Sequence, residues 1–453
     1  MKIKLYRSAT VGVIFSSFKI LQDPWLTDGE YYGSWFQYPT FDLKKNLHEI
    51  NSYDAIYISH IHPDHCSDET LRKINKNIPI YIHKFHHKFL DLKLKKLGFN
   101  VIGLENGKRV QLKDNIHIAI FAADNCDPNL CYKFFSCANL NINDGSQQID
   151  TLCVLDDNKN VLVNINDCPI ELAESVFPTI LKNYSKIDVL LSAYGYAGAY
   201  PQCYDNYTYE QKKKASLDLQ NKYLNSSLNY IEKLKPKFYI PFAGTYELGG
   251  KLTNLQDLIA TPKIDTAYKV FEHHLSENVK YKNTCLIKIN PENTFCLEEK
   301  DTLNLYSSIN QREYKAYKKN YLEKKKFIYE QNDDESLDGI FDLSKLAFEN
   351  FLRKKKELNS KIPLDIYIKA KHKYIKISQD IKKDKIDFIE SNLINKNNKY
   401  IILDLDIRLL KLILKGPRYA HWNNAEIGSH ISFFRSPDIH LRNVHQSICY
   451  FHC

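Results

Sequence analysis

The stretch from Tyr57 to Asp68 reads YISHIHPDHCSD and sets His60, His62, Asp64 and His65 directly behind the apolar run DAIYIS. Imidazole and carboxylate are donors suited to zinc, iron or manganese. An apolar run that ends in a turn puts these donors at the C-terminal end of a buried strand. Histidines two apart at a turn can aim at one ion, and Asp64 and His65, one step further on, can reach a second. Two ions roughly 3.5–4 Å apart can activate a bridging hydroxide and polarise a phosphoryl or acyl oxygen. A lone His-x-His pair says little. Four ligand-type residues between a strand and a helix say more, because structural context is what gives a motif its chemistry.

Three further stretches carry candidate chemistry. Asp167 ends the apolar run VLVNIND, where it is a further candidate ligand or the N-cap of the helix that follows. SAYGYAGAY places Tyr194, Tyr196 and Tyr200 around Gly195 and Gly198 after a buried strand. Those rings can stack on a base or sugar, or simply pack a surface loop; strand C-termini are where α/β folds hold ligands. In HWNNAEIGSHISFFRSPDIH, Trp422, Asn423 and Arg435 combine stacking, amide and guanidinium groups. They suit a polar ligand or docking against the first part of the chain, with core packing for the indole as the alternative.

The elements that must position these groups follow from periodicity. DAIYIS, IPIYIH, NIHIAIFA, TLCVLD, NVLVNI and IDVLLSAY read as buried strands. Between them, SDETLRKINK and PIELAESVFPTILKNY read as helices, the first with Ser67 as N-cap and acids in its first turn. This interleaving predicts an α/β layered domain over residues 1–295. Residues 296–360 turn charged and helical in period and read as a connector. Over residues 361–453, LDIYIKAKHKYIKIS alternates as a hairpin and KYIILDLDIRLLKLILKG runs from strand into helix, predicting a smaller α/β domain.

The 453 residues, 43% of them hydrophobic, suffice for two or three domains. No apolar run is long enough to cross a bilayer, and the basic start lacks the apolar core and cleavage site of a signal peptide. Eleven scattered cysteines, an odd number, predict reduced thiols and a cytoplasmic location. The net charge of +9 reads mainly as solvated lysine-rich helix faces, and secondarily as attraction to a small anionic substrate. There is no Walker loop, recognition-helix pattern or zinc-finger spacing, so nucleic acid ranks low as a partner.

The HxHxDH turn resembles that of the metallo-β-lactamase fold superfamily. ILQDPWLTDGEYYGSWFQYP, YISHIHPDHCSDETL, NINDCP and LKPKFYIPFAG look most like the lactamase-like part of the CMP-N-acetylneuraminate hydroxylase family. The resemblance implies an αββα sandwich for residues 1–295, with the smaller α/β domain appended. It implies His60, His62, Asp64, His65 and Asp167 as metal ligands, Asp64 and Asp167 as catalytic carboxylates, and Asp23 as the residue orienting the histidine turn.

Two departures shape the functional expectation. The hydroxylase family carries a Rieske iron–sulfur domain, and Cys126, Cys131 and Cys137 lack partnered histidines at Rieske spacing. This chain alone is therefore not expected to perform Rieske-dependent hydroxylation. The superfamily's third and last histidines are also missing: Ala243 stands where one is usual, and Asp124, Asp127, Asp150 and Glu247 are the candidate replacements. His117 reads as a core or edge-strand residue, and His83, His86 and His87 as surface residues. The leading expectation is a hydrolase using one or two divalent ions (zinc, iron or manganese) and a metal-bound hydroxide on a phosphate-containing or nucleotide-sugar-like metabolite. The alternatives are a diiron oxygenase served by an electron-transfer partner, and a binding protein with a decayed site.

Overall fold

Alternating apolar side chains on two sets of short strands build the body of the chain in a computed structural model. It describes residues 1–85, 88–122, 150–299, 306–357, 364–378, 384–395 and 398–453. The first seven-stranded sheet runs, edge to edge, through Thr294–Cys296, Lys2–Arg7, Thr10–Ile14, Lys19–Gln22, Ala55–Tyr57, Ile80–His83 and Val101–Leu104. The second runs through Cys285–Leu286, Phe238–Phe242, Val189–Ala193, Val161–Asn164, Thr151–Asp156, Ile116–Ala122 and Val110–Lys113.

The two-residue period of a strand sends neighbours to opposite faces. Ile20 therefore points into the core between the sheets and Leu21 outward; Leu162 and Leu191 point in, Val163 and Leu190 out. The inner faces share one core that includes Val13, Ile20, Ile118, Leu155, Leu191 and Phe242. Outside the first sheet lie the helices Leu43–Ile50, Asp68–Lys73 and Phe89–Lys96, seated on Leu21, Ile56 and Ile80. Outside the second lie Phe177–Asn183, Tyr209–Leu234 and Ile264–Glu277, seated on Val163, Leu190 and Tyr239. Helix, sheet, sheet, helix is the αββα layering.

Local chemistry fixes several boundaries. Ser67 caps the Asp68–Lys73 helix by accepting from the Thr70 amide at 3.1 Å, with acids in the first turn and bases in the last. The stretch from Pro169 to Tyr184 forms two short helices, Ile170–Ala173 and Phe177–Asn183. Pro178 sits in the first turn of the second, where a missing N–H is harmless; within a continuous helix it would break the ladder.

The C-terminal unit is a five-stranded sheet in the order Lys385–Glu390, Lys373–Ser378, Asp365–Ala370, Tyr400–Leu405, Ile431–Ser436. Asp365–Ala370 and Lys373–Ser378 form the expected hairpin, and the Tyr400–Leu405 strand leads into the Ile407–Leu414 helix. Between the sandwich and this sheet, the Gln311–Asn320 helix lies on the sandwich: Tyr317 donates to the Gln37 carbonyl at 3.3 Å and Tyr314 to Glu247 at 2.6 Å. The Ile340–Glu357 helix instead buries Ile340, Ala347 and Phe351 in the C-terminal core. Among the described residues the cysteines are unpaired, and no helix is long and apolar enough to cross a membrane.

Candidate metal centre

The site lies where both sheets end on the same side. Parallel pairing of Lys19–Gln22 with Ala55–Tyr57 brings Asp23 beside the turn that starts at Ser59. In the second sheet, antiparallel pairing sets Cys153 opposite Asn164, so Asp150, just before one strand, and Asp167, just after the other, reach the same edge. Hydrogen bonds tie the edges together: the Tyr57 hydroxyl meets Thr151 Oγ1 at 2.7 Å, and Thr151 Oγ1 donates to the Ser59 carbonyl at 2.7 Å.

Asp23 is the hub of the turn. It is fully buried with φ at +44°, a region that L residues enter at a cost. Its carboxylate accepts from the Ser59 amide at 2.7 Å, from Ser59 Oγ at 2.7 Å and from His65 Nδ1 at 2.8 Å. Ser59 has one hydroxyl proton, and it goes to Asp23. The contact of Ser59 Oγ with His60 Nδ1 at 2.9 Å is then a donation from the ring. That fixes the His60 tautomer with Nε2 bare, and this nitrogen is buried without a hydrogen-bond partner. His65, donating through Nδ1, turns its Nε2 to Asp167 Oδ2 at 3.2 Å and Asp64 Oδ2 at 3.6 Å. His60 Nε2 lies 3.8 Å from Asp150 Oδ1. Asn423, from the C-terminal unit, places Oδ1 3.1 Å from His62 Nε2.

These contacts make two overlapping donor groups. His60, His62 and Asp150 form one and His60, His65 and Asp167 the other, each with ligand-type atoms within 4.8 Å of one another. The electrostatics fit a cation. Burial and the neighbouring rings of His65 and His62 drive His60 well below the ordinary imidazole value, so it is neutral and free to ligate. Burial also lowers His62, against the pull of Asp64. Burial opposes a charge on His65, but Asp167, Asp64 and Asp23 outweigh it and raise that ring well above its ordinary value. Burial lifts Asp167 as well, yet His65 and His62 hold it below the usual carboxylate range. A ring held cationic by three carboxylates marks an excess of buried negative charge, which a divalent ion would satisfy equally well. The donor set fits such an ion, which His60, His62, His65, Asp150 and Asp167 could hold.

Asp64 belongs to neither donor group. Its Oδ1 accepts the hydroxyl of Tyr31, which burial and Asp64 keep protonated far above the usual range. Tyr31 and Tyr32 both have positive φ, +50° and +61°, which sends Tyr31 into the site and Tyr32 to the C-terminal unit. Neither partnership carries a sequence signal.

A cavity of about 240 Å³ opens over the donors, walled by His62, Asp64, Asp150, Asp167, Tyr196, Lys222 and Tyr223 among others. The rings of Tyr196 and Tyr223 lie 5.4 Å apart. Ala243, with φ at +50°, lines this cavity where the superfamily has a histidine, leaving a methyl group where an imidazole would reach.

Several sequence expectations change here. Tyr194 is 1% exposed and fills the space beneath Gly244, where a Cβ would meet its ring at 2.4 Å. Tyr200 packs against the core of the C-terminal unit, away from the cavity. Trp422 is a core residue whose indole donates to the Phe451 carbonyl at 2.9 Å. Arg435 lies over the Tyr204 ring, donates to Asp438 at 2.6 Å and is not among the residues lining the cavity. Glu247 is held by Tyr314 instead of joining the donors. His83 is buried beside Phe85, not on the surface, and His117 bonds Arg109 at 2.9 Å on its strand. Asp124, Asp127, His86, His87, Cys126, Cys131 and Cys137 lie outside the described residues.

Two sheets in αββα layering with an HxHxDH turn at their shared edge define the metallo-β-lactamase fold. No protein-family model matches the chain. It is 27% identical over 238 residues to cytidine monophosphate-N-acetylneuraminic acid hydroxylase of Danio rerio, covering 50% of this chain and 35% of that protein. A putative Rieske 2Fe-2S iron–sulfur protein of Mycolicibacterium smegmatis is 24% identical over 227 residues, covering 50% and 40%. The chain thus spans well under half the length of these curated relatives. Among solved structures, an isothiocyanate hydrolase from Delia radicum gut bacteria is 14% identical, with TM-score 0.43, covering 65% of this chain and 99% of its own. CmlA, a diiron β-hydroxylase from Streptomyces venezuelae, is 14% identical, with TM-score 0.40, covering 65% and 53%. At TM-scores this low, the fold rests on the chain's own strand order and layering.

Proposed function

We propose that the chain is a metal-dependent hydrolase acting on a small anionic metabolite, phosphate-containing or nucleotide-sugar-like. The observation that carries this reading is the pair of donor groups sharing the buried His60, of which His62, Asp150 and Asp167 line an open cavity. A bound divalent ion would supply Lewis acidity and an activated water there. The chain's own groups do the rest. Ser59 and Asp23 fix the histidine tautomers. Tyr31, protonated, holds one oxygen of Asp64 and leaves the other facing His65 and the cavity, placed to accept a proton from water. Tyr196 and Tyr223 give a ring or sugar an aromatic wall, and Lys222 favours a negative charge beside it.

A second reading has its own support. Asp150 provides a carboxylate where the superfamily uses imidazole, which favours iron or manganese, and the curated relatives are named hydroxylases. In that reading a separate protein supplies electrons. Elemental analysis of purified protein, with turnover of p-nitrophenyl phosphomonoesters, phosphodiesters and CMP-sugars, separates the two. Zinc or manganese with hydrolysis lost in His62→Ala supports the first; two irons with visible absorption and no hydrolysis supports the second. A protein that takes up no metal and turns over none of these compounds refutes both and leaves a binding protein.

A further inference from the structure

We propose that Asn423 is a positioning residue of the metal centre, delivered by the C-terminal unit, which fixes the His62 tautomer so that Nδ1 of that ring is the ligand atom. This rests on the reading of His60, His62 and Asp150 as metal donors. Asn423 Oδ1 faces His62 Nε2 at 3.1 Å. An amide oxygen only accepts, so the ring must carry its proton on Nε2, and a neutral ring then has its lone pair on Nδ1. Asn423 thus does for His62 what Ser59 does for His60 and Asp23 for His65. Each imidazole has one nitrogen bonded to an orienting group; the other nitrogen of His60 has no hydrogen-bond partner, and that of His65 faces Asp167. Groups that orient metal-bound histidines in this way raise ligand basicity and fix ring direction.

The amide is itself held in place. The Asn423 backbone N–H donates to His421 Nδ1 at 3.2 Å, and the His421 N–H donates to the Tyr32 hydroxyl at 2.7 Å. His430 Nε2 donates to the Tyr31 carbonyl at 2.7 Å and accepts at Nδ1 from the Tyr329 hydroxyl at 3.0 Å. Gly428 closes the contact, because a Cβ there would stand 2.9 Å from Tyr31 Cβ. The left-handed Tyr31–Tyr32 pair is therefore gripped from the C-terminal side while Tyr31 itself holds Asp64. Two first-sheet residues of the site, His62 and Asp64, depend on this docking.

The test measures affinity for Zn²⁺ and Mn²⁺ by competition with a chromophoric chelator, and records the Co²⁺ d–d spectrum, in full-length wild type, Asn423→Ala, Asn423→Leu and Asn423→Asp. Asn423→Ala and Asn423→Leu should bind about 10–100-fold more weakly with an altered Co²⁺ spectrum, while the melting temperature of the metal-free protein stays near wild type. Asn423→Asp keeps the acceptor and should retain wild-type affinity or better. Wild-type affinity and spectrum in Asn423→Leu, or an Asn423→Asp as weak as Asn423→Leu, overturns the proposal while leaving the metal centre standing. Failure of the wild type to bind any of the three ions, or His60→Ala binding as well as wild type, overturns the metal reading and this proposal with it.

Discussion

His62 and Asn423 meet at 3.1 Å although 361 residues separate them. The first sits on the turn that ends a buried strand of the sandwich, the second in the first turn of the Trp422–Ile427 helix of the C-terminal unit. Nothing local to either segment requires the other. What unites them is a docking surface built from Tyr31, Tyr32, Gln202 and Cys203 on one side and His421, Ser429 and His430 on the other. Phe433 and Cys203 add a backbone bond at 2.8 Å. The C-terminal unit is in this sense part of the wall of the site.

Gly428→Val tests that surface. The added side chain collides with Tyr31 Cβ, the His430 ring and the Asn424 carbonyl, and none of these is the free end of a long side chain. Overpacking of this kind costs about 1–3 kcal/mol. We expect a lower melting temperature and, in the folded protein, weaker metal binding, because Asn423 and Tyr31 are displaced together. A variant that melts lower but binds metal with wild-type affinity would show that the docking and the centre are uncoupled.

Asp23→Asn examines the hub of the histidine turn. The Asp23 carboxylate accepts three hydrogen bonds while fully buried. An amide offers one acceptor oxygen, and its NH₂ must face either the Ser59 N–H or one of the two groups now donating to Oδ2. A buried donor without a partner costs about 1–3 kcal/mol. Calorimetry should show that loss. Metal affinity should also fall about 10–100-fold, since His65 and, through Ser59, His60 lose their orientation.

Asp150 is the carboxylate that distinguishes this donor set. Asp150→Ala should remove one donor of the His60–His62 group and leave the His60–His65–Asp167 group intact. We expect the measured metal stoichiometry to fall from two ions to one, or a single ion to bind more weakly. Asp150→His should restore binding and shift preference from manganese towards zinc, since imidazole suits the latter. Unchanged stoichiometry and affinity in Asp150→Ala would remove Asp150 from the centre.

How much of this was legible from residues alone differs from position to position. The HxHxDH turn was visible because its signal is local: an apolar strand, then ligand-type residues, then Ser67 capping a helix with acids behind it. The layering was visible for the same reason, since strand periodicity is a short-range pattern. Placing Asp150 beside His60, with Glu247 held elsewhere by Tyr314, needed the register that sets Cys153 opposite Asn164, which no count along the chain provides. Tyr194 and Trp422 carried the composition of ligand contacts, yet both rings fill space that a glycine and a C-terminal core leave open. The Tyr31 bond to Asp64 depends on two consecutive non-glycine residues adopting positive φ, which sequence propensity argues against.

Glu247 supplies a pH test on the strap that crosses the sandwich. Tyr314 of the Gln311–Asn320 helix donates to its carboxylate at 2.6 Å. Burial pushes Glu247 up from an ordinary 4.5 to about 7, against the opposing pull of Tyr314, Lys263 and Lys318. The folded chain therefore holds this proton more tightly than the unfolded chain between those values. Its stabilising effect is complete below pH 4.5 and is lost as pH rises through about 7. Glu247→Gln, which keeps an acceptor for Tyr314 and never ionises, should match wild type near pH 4. It should become more stable than wild type as pH rises, levelling off above 7 with a gap of roughly 1–3 kcal/mol after allowance for solvent screening. Paired thermal melts from pH 4 to 8.5 read this directly. A constant difference across that range would mean that Glu247 titrates as an ordinary solvated carboxylate, and a gap that closes with rising pH would mean that the strap is held by its charge.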